Sequence, residues 1–285
     1  MEAVRPIDGA SLRYAGGVKV TGRALWFDAL EKKPVAVLSS ALSAPLIVHE
    51  RTVLHTRVLD VHPRKHARQA FLSAGYGEPV LLGDWDITLL PAGFNPGAAQ
   101  VRVVSKEQRL LYVGPFNTRP TRVAEDFEGT RADVLGVDLD WVKGNAHVMK
   151  REVVVQRVLQ RVQTSLDEGR LPTLFVPAFG IPQEIVLEMG DDAPPLLVHE
   201  AVMGGLRALQ RSGFSLPKHV LPLKRSHIPP GHAVMFPEHL RPQMAPQEHQ
   251  SVFSFDALLS TERLEAATGD GEAWHFPRFN EPDIL

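Results

Sequence analysis

The sequence predicts an α/β protein built in two parts. Three observations carry that reading. Residues up to about 150 alternate short apolar runs with glycine turns, as strands do. From about 150 onward, apolar positions recur at helical spacing and alternate with short apolar runs, the pattern of helices laid on a parallel sheet. The chain has 285 residues, 44% of them hydrophobic and 22% charged, which is enough to bury one large core or two moderate ones.

In chain order, Val18–Thr21 after Gly16-Gly17, then Ala24–Phe27 and Val35–Leu38, are expected strands, and Leu46–Val48 and Val53-Leu54 further short strands or buried turns. His62–Leu72 is expected to be a helix, with Pro63 in its first turn and Gly75 past its end. Pro79–Leu82 and Asp86–Leu90 form a strand pair turning at Gly83-Asp84. Val101–Val104 and Arg109–Val113 form another, and Val134–Leu139 is a buried strand. In the second part Val154, Val155, Val158, Leu159, Val162 and Leu166 mark a helix ended by Gly169. Thr173–Pro177 and Leu196–Val198 are strands, and Gln183–Met189 and Ala201–Arg211 are helices. Residues 216–250 read as a proline-rich connector holding five of the twelve histidines. Phe255–Ala267 reads as helical and Ala273–Leu285 as a strand or tail.

Composition excludes several functions. A formal charge of −2 gives no global bias toward nucleic acid or anionic membrane. With no cysteine there are no disulfides, no thiolate metal sites and no cysteine nucleophile, which fits a reducing cytoplasm, the expected location. Met1–Pro6 lacks an apolar core, so a signal peptide is not expected, and no run of about 18 apolar residues suggests a membrane span.

Three strand-plus-turn stretches stand out: Leu38-Ser39-Ser40-Ala41-Leu42-Ser43-Ala44-Pro45, Leu89–Val101 and Leu111–Pro120. In a metal hydrolase such turns carry His and Asp; here they carry Ser, Leu, Ala, Pro and Phe. The frame Pro91-Ala92-Gly93, Gly97, Ala99-Gln100-Val101, the tract Tyr76-Gly77-Glu78-Pro79, Val113-Gly114 with Arg119-Pro120, and Leu174–Gln183 followed by His199–Gly213 resemble the β-CASP nucleases of the metallo-β-lactamase fold. The likeness is closest to the bacterial DNA ligase-associated exonucleases and covers about residues 18–215. It implies a metallo-β-lactamase-like αββα sandwich with a shortened β-CASP-type α/β insert: residues 1–150 as the N-terminal half, 151–235 as the insert, and 236–285 as a return segment to the first half.

The resemblance also implies a two-metal site, and its ligands do not carry over. Ser40, Leu42, Ala44 and Pro45 stand where the family has His, His, Asp and His; Phe94 stands at another metal-binding His, and Pro115 at the bridging Asp. Asp138 is a possible remnant of the acidic residue before the insert. The later Ser-Asp-His motif falls near Phe253-Ser254-Phe255 and is gone, and His275 lies out of register with the final His motif. Metal ions in such sites lower the pKa of a bound water and clamp phosphate oxygens, and they need imidazole and carboxylate donors at about 2.0–2.2 Å. Six replacements leave no such shell, so no metal, cofactor or catalytic residue is expected.

Other polar groups have plainer readings. His62 and His66 have metal-pair spacing, but the neighbouring Arg64, Lys65 and Arg68 disfavour a cation; that basic face instead offers a weak nucleic-acid contact. Asp84 and Asp86 read as turn residues; Asp138 and Asp140 have the same spacing at the end of a buried strand, where Asp138 is expected to make a structural hydrogen bond. Ser39, Ser40 and Ser43 lack a nucleophile elbow. His219, His227, His232, His239 and His249 have no metal-ligand spacing. The resemblance implies a catalytically inactive homologue, a structural or regulatory subunit that docks a protein partner, with nucleic acid as a second possible partner. The alternatives are a non-catalytic nucleic-acid platform, or an active nuclease or phosphodiesterase holding zinc or manganese at a relocated site through Asp138, His199 and His275. An enzyme of unrelated chemistry has neither triad nor phosphate loop behind it.

Overall fold

The structure is a computed structural model that describes residues 11–42, 47–62, 70–83, 85–105, 108–118, 120–138, 151–177, 179–191, 193–224, 228–244, 249–256 and 271–275, with the backbone alone at 151–154, 254–256 and 271–275. It is a mixed α/β protein that divides into two compact units, Met1–Leu139 and Asp140–Leu285. Among the described residues no helix is long and apolar enough to cross a membrane.

The first unit holds two sheets. One runs in chain order from β1 (Leu12–Tyr14) through β2 (Val18–Val20), β3 (Trp26–Phe27), β4 (Val35–Leu38) and β5 (Arg51–His55) to β6 (Phe71–Ala74). Its first two pairings are antiparallel and the rest parallel. The other has the order β11-β10-β9-β8-β7, from β7 (Pro79–Leu82), β8 (Trp85–Pro91), β9 (Ala99–Val104), β10 (Arg109–Val113) and β11 (Val134–Val137). Its pairings are antiparallel except β10 with β11.

Alternation along these strands turns one face of each sheet into a shared core. Val20, Phe27, Val37 and Val53 from the first sheet meet Ile87, Leu89, Val101, Val103, Leu110 and Tyr112 from the second. Phe27 and Tyr112 stack across it, ring centroids 4.8 Å apart. The other strands and hairpins expected here are present, including the turn at Gly83, but Ile47 and Val48 form no strand, and Val134–Leu139, expected as a buried strand, is β11 at the edge of its sheet with Leu135 and Val137 exposed.

The region after β5 departs from expectation. The helix is α1 (Thr56–Val61), capped at its start by the His55 ring, and His62 closes it. Phe71 and Leu72, expected at the end of a helix, lie in β6, where pairing with β5 and burial of Phe71 against Leu38, Leu54 and Val58 override their local preference. Residues 63–69 lie outside the described residues.

The second unit has one sheet, parallel throughout, in the order β14-β13-β15-β12-β16-β17. Its members are β12 (Leu171–Val176), β13 (Leu196–Val198), β14 (Val220–Pro222), β15 (Ala233–Pro237), β16 (Gln250–Asp256) and β17 (Gly271–His275). Helices α2 (Arg151–Asp167), α3 (Ile181–Met189) and α4 (Glu200–Arg211) share a core with Leu174, Val176, Leu196, Val198, Met235 and Phe253. The alternating residues Thr173, Phe175 and Val234 are buried too, so both faces are covered.

The three helices fall close to where helical spacing puts them. Two strands lie inside the stretch read as a connector. Ala233–Pro237 is a short apolar run set among prolines, and its burial between β13 and β12 makes it a central strand. Phe255 and Asp256, expected to be helical, belong to β16; residues 257–270 lie outside the described residues. The segment 236–285 supplies β16 and β17, and both lie in this second sheet, β16 against β12.

Candidate functional site

The three turns that stood out in the sequence come together in the first unit. Ser39 follows β4, residues 92–98 join β8 to β9, and Gly114 follows β10. The Ala99 backbone N–H donates to the Ser39 carbonyl at 2.7 Å, tying the end of one sheet to the other.

Asp28, just past β3 and in the left-handed region at φ 46°, anchors the polar side of this junction. Its carboxylate accepts from the Ser39 N–H at 2.8 Å, the Ser39 hydroxyl at 2.5 Å and the Tyr112 hydroxyl at 3.0 Å. Burial pushes the Tyr112 phenol far above its ordinary range, and the Asp28 and Asp138 carboxylates push it further, so it remains a protonated donor. Gly114 is required here because a Cβ would overlap the Ser39 hydroxyl.

The positions of the expected metal ligands are used for packing. Ser40 is fully buried, and its hydroxyl accepts from the Leu42 N–H and from Asn95 Nδ2, both at 3.1 Å. Phe94 is buried with Ala92 and Ala98, and Leu42 and Phe116 pack onto that cluster. Pro115 is buried and, as a proline, offers no N–H. Ala44 and Pro45 lie outside the described residues. Leu, Phe and Pro side chains present no lone pair to a cation, so these residues do not fit a two-metal centre. Among the described residues no three His, Cys, Asp or Glu side chains are grouped to hold a metal ion.

The remaining candidates are spread through the fold. Asp138 is half-buried just after β11, its N–H bonded to the Val113 carbonyl at 2.8 Å. His199 caps α4, its Nδ1 accepting from the Ala201 N–H at 3.2 Å. His275 ends β17, four strand positions from β13, which leads into His199. That separation is about 19 Å between backbones, beyond the reach of two imidazoles on one ion. Asp86 accepts a 3.2 Å bond from the Thr88 hydroxyl. His219, His232 and His249 each precede a strand of the parallel sheet and so share its amino edge, but at intervals of two strands, about 10 Å. His239 lies in a 3-10 helix over Glu238–Gln243. Ser43, Arg64, Lys65, His66, Arg68, Asp84, Asp140 and His227 fall outside the described residues.

Sequence reading missed a second polar cluster beside this junction. The His55 ring packs against Tyr76 at a tilt of 31° with centroids 4.0 Å apart, its Nδ1 accepts from the Arg57 N–H at 3.2 Å, and Arg57 pairs with Glu125. Burial first, and the Arg57 charge second, lower the His55 pKa to about 4, so the ring is neutral at pH 7. The Tyr76 hydroxyl donates to the Ala98 carbonyl at 2.8 Å, within the β8–β9 turn. Asp28, Tyr112, His55 and Glu125 matched no motif. The trace of Asp28 in the sequence is a single acid ending the apolar run Leu25-Trp26-Phe27.

No family model matches the chain. It is 22% identical over 217 residues to a probable DNA ligase of Opitutus terrae; the match takes in 73% of this chain and 21% of that protein. The chain thus spans about a fifth of the length of the curated relative it matches. Among solved structures, a protein of unknown function from Enterococcus faecalis V583 is similar at a TM-score of 0.58 and 10% identity, over 88% of this chain and 71% of that one, which is a likeness of fold alone.

Proposed function

We propose that this chain is a catalytically inactive homologue of the β-CASP nucleases, acting as a structural or regulatory subunit that docks a protein partner in a nucleic-acid-processing setting. The observation that carries the reading is the packing of Leu42, Phe94 and Phe116 against Ala92 and Ala98, with the Ser40 hydroxyl taken up by Asn95 and Leu42. A shell meant for metal ions would present donors to a cavity; here apolar side chains fill the positions. The shared core of the two sheets in the first unit supports the metallo-β-lactamase-like αββα reading, and the parallel sheet with α2, α3 and α4 supports a β-CASP-type insert. The resemblance to a probable DNA ligase supports the nucleic-acid setting, and favours a nucleic-acid-binding platform as the second reading.

Elemental mass spectrometry after incubation with zinc or manganese and desalting tests the central claim. The expected result is less than about a tenth of an equivalent of either metal, with no manganese-dependent cleavage of labelled DNA or RNA. One or two tightly held equivalents, with cleavage abolished in Asp138→Ala, would sink it in favour of a relocated metal site.

A further inference from the structure

We propose that the outward face of the first sheet, at Trp26, His49 and Thr52, takes a carboxylate group beneath the Lys19 and Lys33 side chains. That the carboxylate is an acidic side chain of a partner protein rests on the docking reading above.

The register sets Lys19, Trp26, Ala36, Thr52 and Phe71 opposite one another, in one row across β2 to β6. Alternation turns this row away from the core that holds Phe27, Val37 and Val53. Two strand spacings, about 10 Å, separate the backbones of Trp26 and Thr52, and only the methyl of Ala36 stands between them in the row. His49 joins the patch just before β5. Its Nδ1 accepts from the Lys33 N–H at 3.2 Å, and the Lys33 ammonium lies 5.5 Å from the Trp26 ring. The Lys19 ammonium lies 4.9 Å from the same ring.

Trp26 Nε1, His49 Nε2 and Thr52 Oγ1 are buried and have no hydrogen-bond partner among the described residues. His49 is 1% exposed and Thr52 is fully buried. Folded proteins seldom leave such atoms unpaired, so three in one patch mark a place for a further group. All three can donate. The indole N–H does nothing else, and His49, whose Nδ1 accepts, carries its proton on Nε2. Burial first, then Lys33 and His62, lower the His49 pKa, so the ring stays neutral at pH 7.

The missing partner is therefore an acceptor, and the ammonium groups beside it favour a negative one. Glu31 does not fill the place: its carboxylate bonds the Lys33 Nζ at 3.0 Å and is 75% exposed. At the indole, Lys33 is thus matched by Glu31, and Lys19 leaves one positive charge. That balance fits a singly charged carboxylate better than a doubly charged phosphate, and two carboxylate oxygens have lone pairs enough for all these donors. Trp26 and Lys19 are half-buried, so flexible lysine stems form the cover, and their rotation admits the group.

The test is NMR of the tryptophan indole N–H signals of the full chain at pH 7, titrated with acetate, with a blocked glutamate peptide, and with phosphate. Trp26→Phe assigns the signal. It should shift saturably with acetate and not with sodium chloride at the same ionic strength. Thr52→Val should bind acetate at least about tenfold more weakly, and Lys19→Met about threefold. Thr52→Val, freed of an unpaired hydroxyl, should unfold at no lower urea than the unaltered chain, which separates lost binding from lost folding. A shift equal to that with chloride, or unchanged affinity in both variants, overturns the site and leaves the docking reading standing, since that rests on the packing at Leu42 and Phe94. Saturation by phosphate but not by acetate overturns the carboxylate form. Tighter binding of the peptide than of acetate supports a partner's side chain as the source; binding of acetate alone overturns that source.

Discussion

His55 shows how much one side chain at this junction can do. Its ring caps α1 through Nδ1, packs against Tyr76, and sits in contact range of the Gly97 turn. A proton on Nδ1 would destroy the cap and place a charge in a buried site next to Arg57. The folded-state pKa is accordingly depressed from 6.5 to about 4. Between these values the unfolded chain binds the proton and the folded chain does not. Stability contributed by neutral His55 is thus full above pH 6.5 and lost as pH falls toward 4, amounting to about 3 kcal/mol. His49, buried and lowered chiefly by desolvation, adds in the same direction. Urea midpoints at pH 7.5 and pH 5 should therefore differ more for the unaltered chain than for His55→Gln; equal differences would show that His55 does not titrate with folding. None of this was visible in the sequence, where His55 is one of twelve histidines. That Leu42, Phe94 and Pro115 offer no side-chain donor was visible, because it depends on residue type alone. Asp28 was not, since its partners lie 11 and 84 residues away and only the meeting of two sheets brings them together.

At the scale of elements, the turn from β8 to β9 carries the junction. Gly93 has φ +69°, and a Cβ there would overlap the Asn117 carbonyl, whose residue donates its own N–H to the Ala92 carbonyl at 2.9 Å. Gly83, in the β7–β8 turn, also has positive φ, +61°, but open space around it. Gly83→Ala thus meets only backbone strain and should cost about 1 kcal/mol. Gly93→Ala meets strain and overlap with backbone together and should cost about 2–4 kcal/mol, read from urea unfolding. Equal losses in the two variants would mean that Asn117 yields and that the turn is not rigid. These hairpins were legible because glycines punctuate alternating runs. The elements that were not legible are those fixed by distant pairing. β6 takes its form from β5, and β15 from lying between β13 and β12. α1 was hidden because its cap is a histidine, outside the usual set of capping residues.

The whole chain consists of two units with separate cores. Val20, Phe27, Ile87, Val103 and Tyr112 are buried wholly within the first, as are the smaller clusters around Leu54 and Phe94. The second has its own core from α2, α3, α4 and the parallel sheet. The units divide between Leu139 and Asp140, whereas the change of pattern was read near residue 150; antiparallel hairpins and helix–strand alternation leave different periodicities. A unit of about 140 residues with a closed core is large enough to fold alone. Residues 1–139 expressed separately should therefore show strand-type circular dichroism and a single cooperative urea transition. Because Asp28, Ser39, Tyr112 and Gly114 all lie in this fragment, its Tyr112 phenol should stay protonated well above its ordinary range, as spectrophotometric titration would report. A fragment that is unfolded, or whose phenol titrates near pH 10, would show that the second unit is needed to hold the junction, and that the packed turns are not a self-sufficient core.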